Sequence, residues 1–228
     1  MANDPLPQHL HEYLDRLVPP RPPEMQAMEA YATQNNFPII GPASGYFCYQ
    51  IARMIGARRV FELGSGYGYS TAWFAKAVQE NLVLRNPDQA SGGVEGGGGE
   101  VHHVVWDEQL SQQARGHLGA LGFGDLLTYH VGEAVQALRE ATGPFDLIFN
   151  DIDKHGYPAS LPVIAAKLRP GGALIIDNML WHGAIFDTQD HSASTRGVRE
   201  FTRLITSDPG WIASLVPLRD GMFLAYKK

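Results

Sequence analysis

Asp151 and Lys154 lie three positions apart in Asn150-Asp151-Ile152-Asp153-Lys154, and a second acid, Asp177, is followed directly by Asn178. Two carboxylates, a carboxamide oxygen and room for water suit a hard divalent cation, Mg²⁺ ahead of Ca²⁺ or Mn²⁺. Lys154 could then serve as a base beside that cation. Such chemistry needs the three side chains to converge, and the flanking residues predict that they do. Each acid follows a short apolar run of strand formers, 145–149 and 173–176, which reads as a buried strand of a parallel sheet. A helical stretch over 157–168 separates them and Arg169-Pro170-Gly171-Gly172 reads as its stop. Strand, crossover helix and strand make the two runs parallel neighbours, about 4.8 Å apart, with their ends level. The plainer alternative is that both aspartates only cap the helices after their strands.

A second chemical signal stands upstream. The strand at 59–63 breaks into Gly64-Ser65-Gly66-Tyr67-Gly68-Tyr69-Ser70, and a helix runs from Ser70 to about 79. Glycines between a strand and a helix let a ligand approach backbone N–H groups. The spacing is Gly-x-Gly-x-Gly, which is not the dinucleotide fingerprint. Glu62 precedes the turn, where it would repel a diphosphate and attract a cationic or zwitterionic ligand. That favours S-adenosylmethionine, with its sulfonium and amino-acid tail, over NAD. A purely structural tight turn is the alternative.

The rest of the chain supplies the frame. Helices are expected at 8–17, 24–35 and 46–55, with an irregular segment at 36–45, and together they cap the sheet. Residues 81–100, with Asn86-Pro87-Asp88 and Gly96 to Gly99, read as a flexible glycine-rich surface insertion. A strand at 101–106, a helix at 107–121 begun or capped by Asp107, a strand at 126–131 and a helix to 139 follow. After 177 come a loop at 179–194, a helix at 195–206 and a hairpin of strands 211–218 and 222–226 around Arg219-Asp220-Gly221. Alternating strands and helices that end in two successive strands predict an α/β fold. It has one seven-stranded, mostly parallel sheet with an antiparallel last strand and helices on both faces. His102 and His103 point to opposite faces of their strand and read as structural. His155 reads as an exposed loop residue.

At 228 residues the chain suits one domain, a helical cap over 1–57 and a core over 58–228. A net charge of −6 and a pI of about 5.8 argue against a general nucleic-acid or membrane-surface binder. Cys48 is the single cysteine, which excludes a disulfide framework and a thiolate zinc cluster. No stretch reaches transmembrane length and no signal pattern opens the chain, so a cytoplasmic protein is expected.

Several motifs in order resemble the cation-dependent class I O-methyltransferases of the catechol and caffeoyl-CoA type. They are Ile55-Gly56-Ala57-Arg58-Arg59, Glu62 through Ser70, Asp151-Ile152-Asp153-Lys154, Asp177-Asn178-Met179-Leu180-Trp181-His182-Gly183, Arg199-Glu200-Phe201 and Asp220-Gly221. The resemblance implies the Rossmann-like methyltransferase sheet. It implies that Asp151, Asp177 and Asn178 hold the metal and that Lys154 is the general base. Glu62, Gly64, Ser65 and Ser70 would contact S-adenosylmethionine, Ala134 would lie against the adenine, and Asp153 would sit beside cofactor and substrate. Trp181 and His182 take positions that line the acceptor pocket. Where relatives end the second strand with a ribose-binding acid, this chain has Val105, and Asp107 two residues on is the candidate substitute. His182 stands for an asparagine common in the plant enzymes, Ile40 for a cofactor-contacting threonine, and Ser44 for a frequent glutamate.

The expected activity is methyl transfer from S-adenosylmethionine to a hydroxyl of a vicinal dihydroxy aromatic small molecule, dependent on a divalent cation. Relatives are commonly homodimers, and the same is expected here. The alternatives are a tRNA hydroxyuridine methyltransferase of the same family and a non-catalytic S-adenosylmethionine-binding protein. The first would want a basic stripe, and only Arg53, Arg58, Arg59, Arg196 and Arg199 offer scattered candidates.

Overall fold

The computed structural model describes residues 8–85 and 98–228. Seven strands form one sheet in the order β3-β2-β1-β4-β5-β7-β6. They are β1 (Arg59–Leu63), β2 (Glu100–Val105), β3 (Leu127–Val131), β4 (Phe145–Asn150), β5 (Leu168–Ile176), β6 (Trp211–Val216) and β7 (Met222–Lys227). The first five pair in parallel, whereas β7 pairs antiparallel with both β5 and β6. The strand order reverses between β1 and β4, which opens a crevice beyond their carboxyl ends.

Eight α-helices cover the sheet among the described residues: α1 (Gln8–Leu17), α2 (Pro23–Asn35), α3 (Gly41–Met54), α4 (Tyr69–Arg85), α5 (Glu108–Ala120), α6 (Ala134–Glu140), α7 (Tyr157–Lys167) and α8 (Ala193–Ser207). One buried core lies where α2 to α5 meet the sheet through Met28, Cys48, Phe74, Leu118, Leu147 and Phe149. The other lies under α6 to α8 and holds Phe61, Leu138, Ile148, Tyr157, Phe201 and Phe223. Alternate residues of β1 and β4 enter opposite cores, as the pleat requires.

Several boundaries differ from expectation for local reasons. Helix α3 starts at Gly41 rather than 46, because Pro42 sits in its first turn, where a missing N–H costs nothing. Helix α4 runs to Arg85 rather than 79. Asn81, which reads as a loop residue, lies inside it and donates its amide to the carbonyls of Ala52 and Ala57. Residues 81–85 therefore belong to a helix, and Glu100 opens β2; the remainder of the expected insertion, 86–97, lies outside the described residues. Helix α7 ends at Lys167, as the stop at 169–172 leads one to expect, but residues 169–172 themselves belong to β5. A register shift against β4 between Phe145 and Leu147 accommodates them. Strand β2 ends at Val105, leaving Trp106 69% exposed, and β6 ends at Val216 rather than 218. Helix α8 begins at Ala193, capped by Ser192, and a short 3-10 turn over Trp181–Phe186 lies inside the expected loop.

Candidate active site

The crevice begins at the turn after β1. Gly64, Gly66 and Gly68 all have positive φ, at 86°, 51° and 94°, which explains why glycine recurs at every second position. Gly64 is also held close: a Cβ there would come within 2.5 Å of the Asp151 carbonyl oxygen. The two strand ends are pinned together at this point, and Asp151 N donates to Leu63 O at 2.8 Å. Ser65 ties the turn sideways to β2, since its N donates to Val104 O and its Oγ accepts from Val104 N. A cavity over the turn is lined by Ser65, Ser70, Tyr69 and Asp151, with Phe37 and Ile40 from the segment before α3. Tyr67, whose OH donates to Met28 O, fixes α2 to the same turn.

Glu62 lies beneath this turn with no exposed surface. Ser70 Oγ and Thr71 Oγ1 donate to its two carboxylate oxygens. Burial pushes its pKa up to about 7 against the pull of these hydroxyls.

The second half of the site stands at the ends of β4 and β5. Asn150 pairs with Ile176, so Asp151 and Asp177 emerge level with each other. Asp151 accepts from Lys154 Nζ at 2.6 Å, and Lys154 is itself only 8% exposed, its ammonium 5.8 Å from the Trp181 ring. Burial raises the Asp151 pKa to about 6; Lys154 opposes the rise and the neighbouring charge of Asp177 adds to it. Burial likewise holds Asp177 above the usual carboxylate range, against the pull of Arg219, whose Nη1 lies 3.7 Å from Oδ2. The other oxygen, Asp177 Oδ1, is buried with no hydrogen-bond partner among the described residues. Asn178 follows in the left-handed conformation (φ 57°) and gives its amide to Asp220 Oδ2 at 3.3 Å, a bond that does not use its carbonyl oxygen. Trp181 and His182 also have positive φ, 48° and 53°, and Asp220 Oδ1 accepts from His182 N at 2.6 Å. Backbone conformations this unfavourable for bulky side chains persist only where the surroundings impose them, and they cluster at working sites.

The donor set suits a hard cation: a half-buried carboxylate on Asp151, a buried one on Asp177 with an orphaned oxygen, and a carboxamide beside them. Among the described residues no group of three or more His, Cys, Asp or Glu side chains is placed to hold a metal ion.

The structure thus brings Asp151, Lys154, Asp177, Asn178, Trp181 and His182 to one place, beside Gly64, Ser65 and Ser70. Asp153 is exposed at the start of a one-turn helix, and His155 is exposed as expected. Ala134 opens α6, whose cap is Glu133. Asp107 is occupied: its Oδ1 accepts from Gln109 N and Leu110 N as the cap of α5. Sequence reasoning missed Arg219 and the work of Asp220, because Asp-Gly in a hairpin reads as turn chemistry alone. It also missed Gly197 of α8, where any Cβ would collide with the Lys154 carbonyl.

A sequence profile described as O-methyltransferase matches residues 23–228. The chain belongs to this O-methyltransferase family. Among relatives, a catechol O-methyltransferase of Mycobacterium tuberculosis is 27% identical over 219 residues, covering 95% of this chain and 91% of that one. A catechol O-methyltransferase of Niastella koreensis is 26% identical over 198 residues, covering 83% and 82%. Among solved structures, an O-methyltransferase from Bacillus cereus in complex with SAH superposes with a TM-score of 0.81 at 25% identity, covering 96% of this chain and 97% of that chain. One from Streptomyces achromogenes in complex with SAM gives 0.80 at 25% identity, covering 96% of each. Among the described residues no helix is long and apolar enough to cross a membrane.

Proposed function

We propose that the protein transfers the methyl group of S-adenosylmethionine to one hydroxyl of a vicinal dihydroxy aromatic molecule, with a divalent cation held by Asp151, Asp177 and Asn178. The observation that carries this reading is the double membership of Asp151. Its residue lines the cavity over the glycine turn, and its carboxylate belongs to the acid pair with Lys154 attached. Donor and acceptor sites therefore share a wall. The relatives named for catechol and the neighbours bound to SAM and SAH support the same assignment.

The chemistry follows from that wall. A phenol with a pKa near 10 is a poor nucleophile at neutral pH. When bound, the cation would lower that pKa and fix the oxygen's position by chelating both hydroxyls. Lys154, held beside the acid pair by Asp151, would take the phenolic proton. Trp181, facing Lys154 and His182, would bound the aromatic ring. Attack on the sulfonium methyl forms the O–CH₃ bond, breaks the S–CH₃ bond and leaves S-adenosylhomocysteine. Ser65 and Ser70 would hold the donor over the turn, Ala134 would face the adenine, and Asp153 would flank both ligands. Asp107, committed to capping α5, has less to offer the ribose than its position suggests.

The test is methyl transfer from labelled S-adenosylmethionine to a catechol panel, with Mg²⁺, with EDTA, and with Asp177→Asn. Turnover that requires both the cation and Asp177 is expected; turnover indifferent to both overturns the metal reading.

A further inference from the structure

Under the glycine turn, three buried side chains make a chain that methyl transfer as described leaves unused. Thr71 Oγ1 donates to Glu62 Oε2 and also lies 3.1 Å from Nδ1 of His103. Glu62, Thr71 and His103 have no exposed surface, and His103 Nε2 has no hydrogen-bond partner among the described residues.

A hydroxyl carries one proton. If Thr71 gives it to Glu62, its oxygen can only accept from the ring, so His103 must carry its proton on Nδ1. Burial, with Arg115 and His130 nearby, pushes the His103 pKa down to about 3, so the ring is neutral at neutral pH and has one N–H to place. The opposite tautomer would leave a buried N–H orphaned at Nε2, and orphaned donors are the rarer kind of buried defect. It would also make Nδ1 compete for the proton of Thr71, and Glu62 could then fill the gap only by holding a proton itself. The tautomer of His103 and the charge of Glu62 are thus one choice, and the lack of an acceptor for Nε2 among the described residues decides it.

We propose that His103 is a positioning residue that, through Thr71, favours the ionised form of Glu62 beneath the turn, where its charge attracts the ammonium of the S-adenosylmethionine amino-acid tail. The proposal rests on reading the cavity over the turn as the donor site. Glu62 is faced by Ser70 and Thr71 from α4, Ser65 from the turn, Asp151 from β4 and the Cys48 thiol from α3. His103 is faced by Tyr129 from β3 and by Arg115 from α5, whose guanidinium lies 4.0 Å from the centre of the Tyr129 ring, while His130 acts on it only as a charge from the other face of the sheet, where it pairs with His102. No cation touches Glu62 directly among the described residues, so the hydroxyls of Ser70, Thr71 and Ser65 are what oppose its desolvation, and Thr71 is the one of them that His103 reaches.

The experiment is calorimetric binding between pH 6 and 9 of two probes, S-adenosylhomocysteine and 5′-methylthioadenosine, which lacks the tail. Wild type is compared with Thr71→Val, Thr71→Ser, His103→Leu, His103→Asn and Glu62→Gln. Losing one hydrogen bond to a carboxylate raises its pKa by about one unit or more. Thr71→Val should therefore bind S-adenosylhomocysteine about fivefold more weakly at pH 7 and recover to within about twofold of wild type by pH 9, and His103→Leu, which leaves the Thr71 hydroxyl on Glu62 but no longer polarised by the ring, should show the same pH dependence with a smaller loss of about twofold. Methylthioadenosine should bind all variants alike. Thr71→Ser, and His103→Asn with its amide where Nδ1 stood, should restore the wild-type profile. A loss equal at every pH and for both probes, or no loss, overturns the proposal. A Glu62→Gln variant that binds S-adenosylhomocysteine as wild type overturns the donor-site reading as well, which separates the two failures.

Discussion

Replacing Asp151 by Asn should make the cation-free protein more stable and blind to the cation. The pKa of Asp151 is raised from 3.8 to about 6 although the side chain keeps a quarter of its surface. A carboxyl whose folded pKa exceeds its unfolded one contributes stability that is whole below pH 4. That contribution is lost as pH rises through about 6. Two pKa units correspond to about 3 kcal/mol, an upper figure because partial exposure screens it and because Lys154 loses its partner in the variant. In a chain of this length 3 kcal/mol is about 6 °C in melting temperature. Thermal melts at pH 8 in EDTA should place Asp151→Asn up to that far above wild type, with the gap closing at pH 4. Mg²⁺ at a hundred times its dissociation constant should then stabilise wild type by about 2.7 kcal/mol and the variant not at all, which erases or inverts the order. A variant no more stable than wild type at pH 8, or one stabilised equally by Mg²⁺, refutes the reasoning.

Three further outcomes follow from the same geometry. Gly64→Ala forces φ 86° on a residue with a Cβ and drives that Cβ against the Asp151 carbonyl. It should cost about 2 kcal/mol or more in urea unfolding and lower turnover beyond what the lost stability explains. Asp107→Ala removes an N-cap and should cost about 1 kcal/mol while leaving S-adenosylhomocysteine affinity within twofold; a tenfold loss would return Asp107 to the ribose. Tyr157→Phe deletes a buried donor to Asp177 O at 2.9 Å. It should cost about 1–2 kcal/mol by the same unfolding assay and weaken Mg²⁺ binding measured by calorimetry.

The convergence of Asp151, Lys154, Asp177 and Asn178 was legible in the sequence because parallel neighbouring strands leave few alternatives. Two apolar runs that flank one crossover helix are usually parallel neighbours, as β4 and β5 are, although β3 and β4 flank α6 and lie apart across the sheet. The glycine turn was legible for a similar reason, since alternating glycines after a strand announce positive φ. The opposite faces of His102 and His103 followed from the pleat alone. What each histidine touches did not, because Thr71 and His130 reach them from other elements. Arg219 and Asp220 were hidden likewise: their work depends on β7 inserting beside β5, and no local pattern states which edge a terminal hairpin will choose. Boundaries slipped where a polar residue had a tertiary partner, as Asn81 does, so that a loop former became a helical clamp.

The sheet order carries one more consequence. Strand β7 follows β6 in the chain, yet it lies between β5 and β6, and Asp220 in the turn just before it holds Asn178 and His182 in place. During synthesis the donor half of the crevice can therefore assemble long before the acid pair acquires its final shape. A growing chain with Asp151 and Asp177 already translated still lacks the strand that orients their carboxamide partner. The two halves of the crevice are in this sense born at different times.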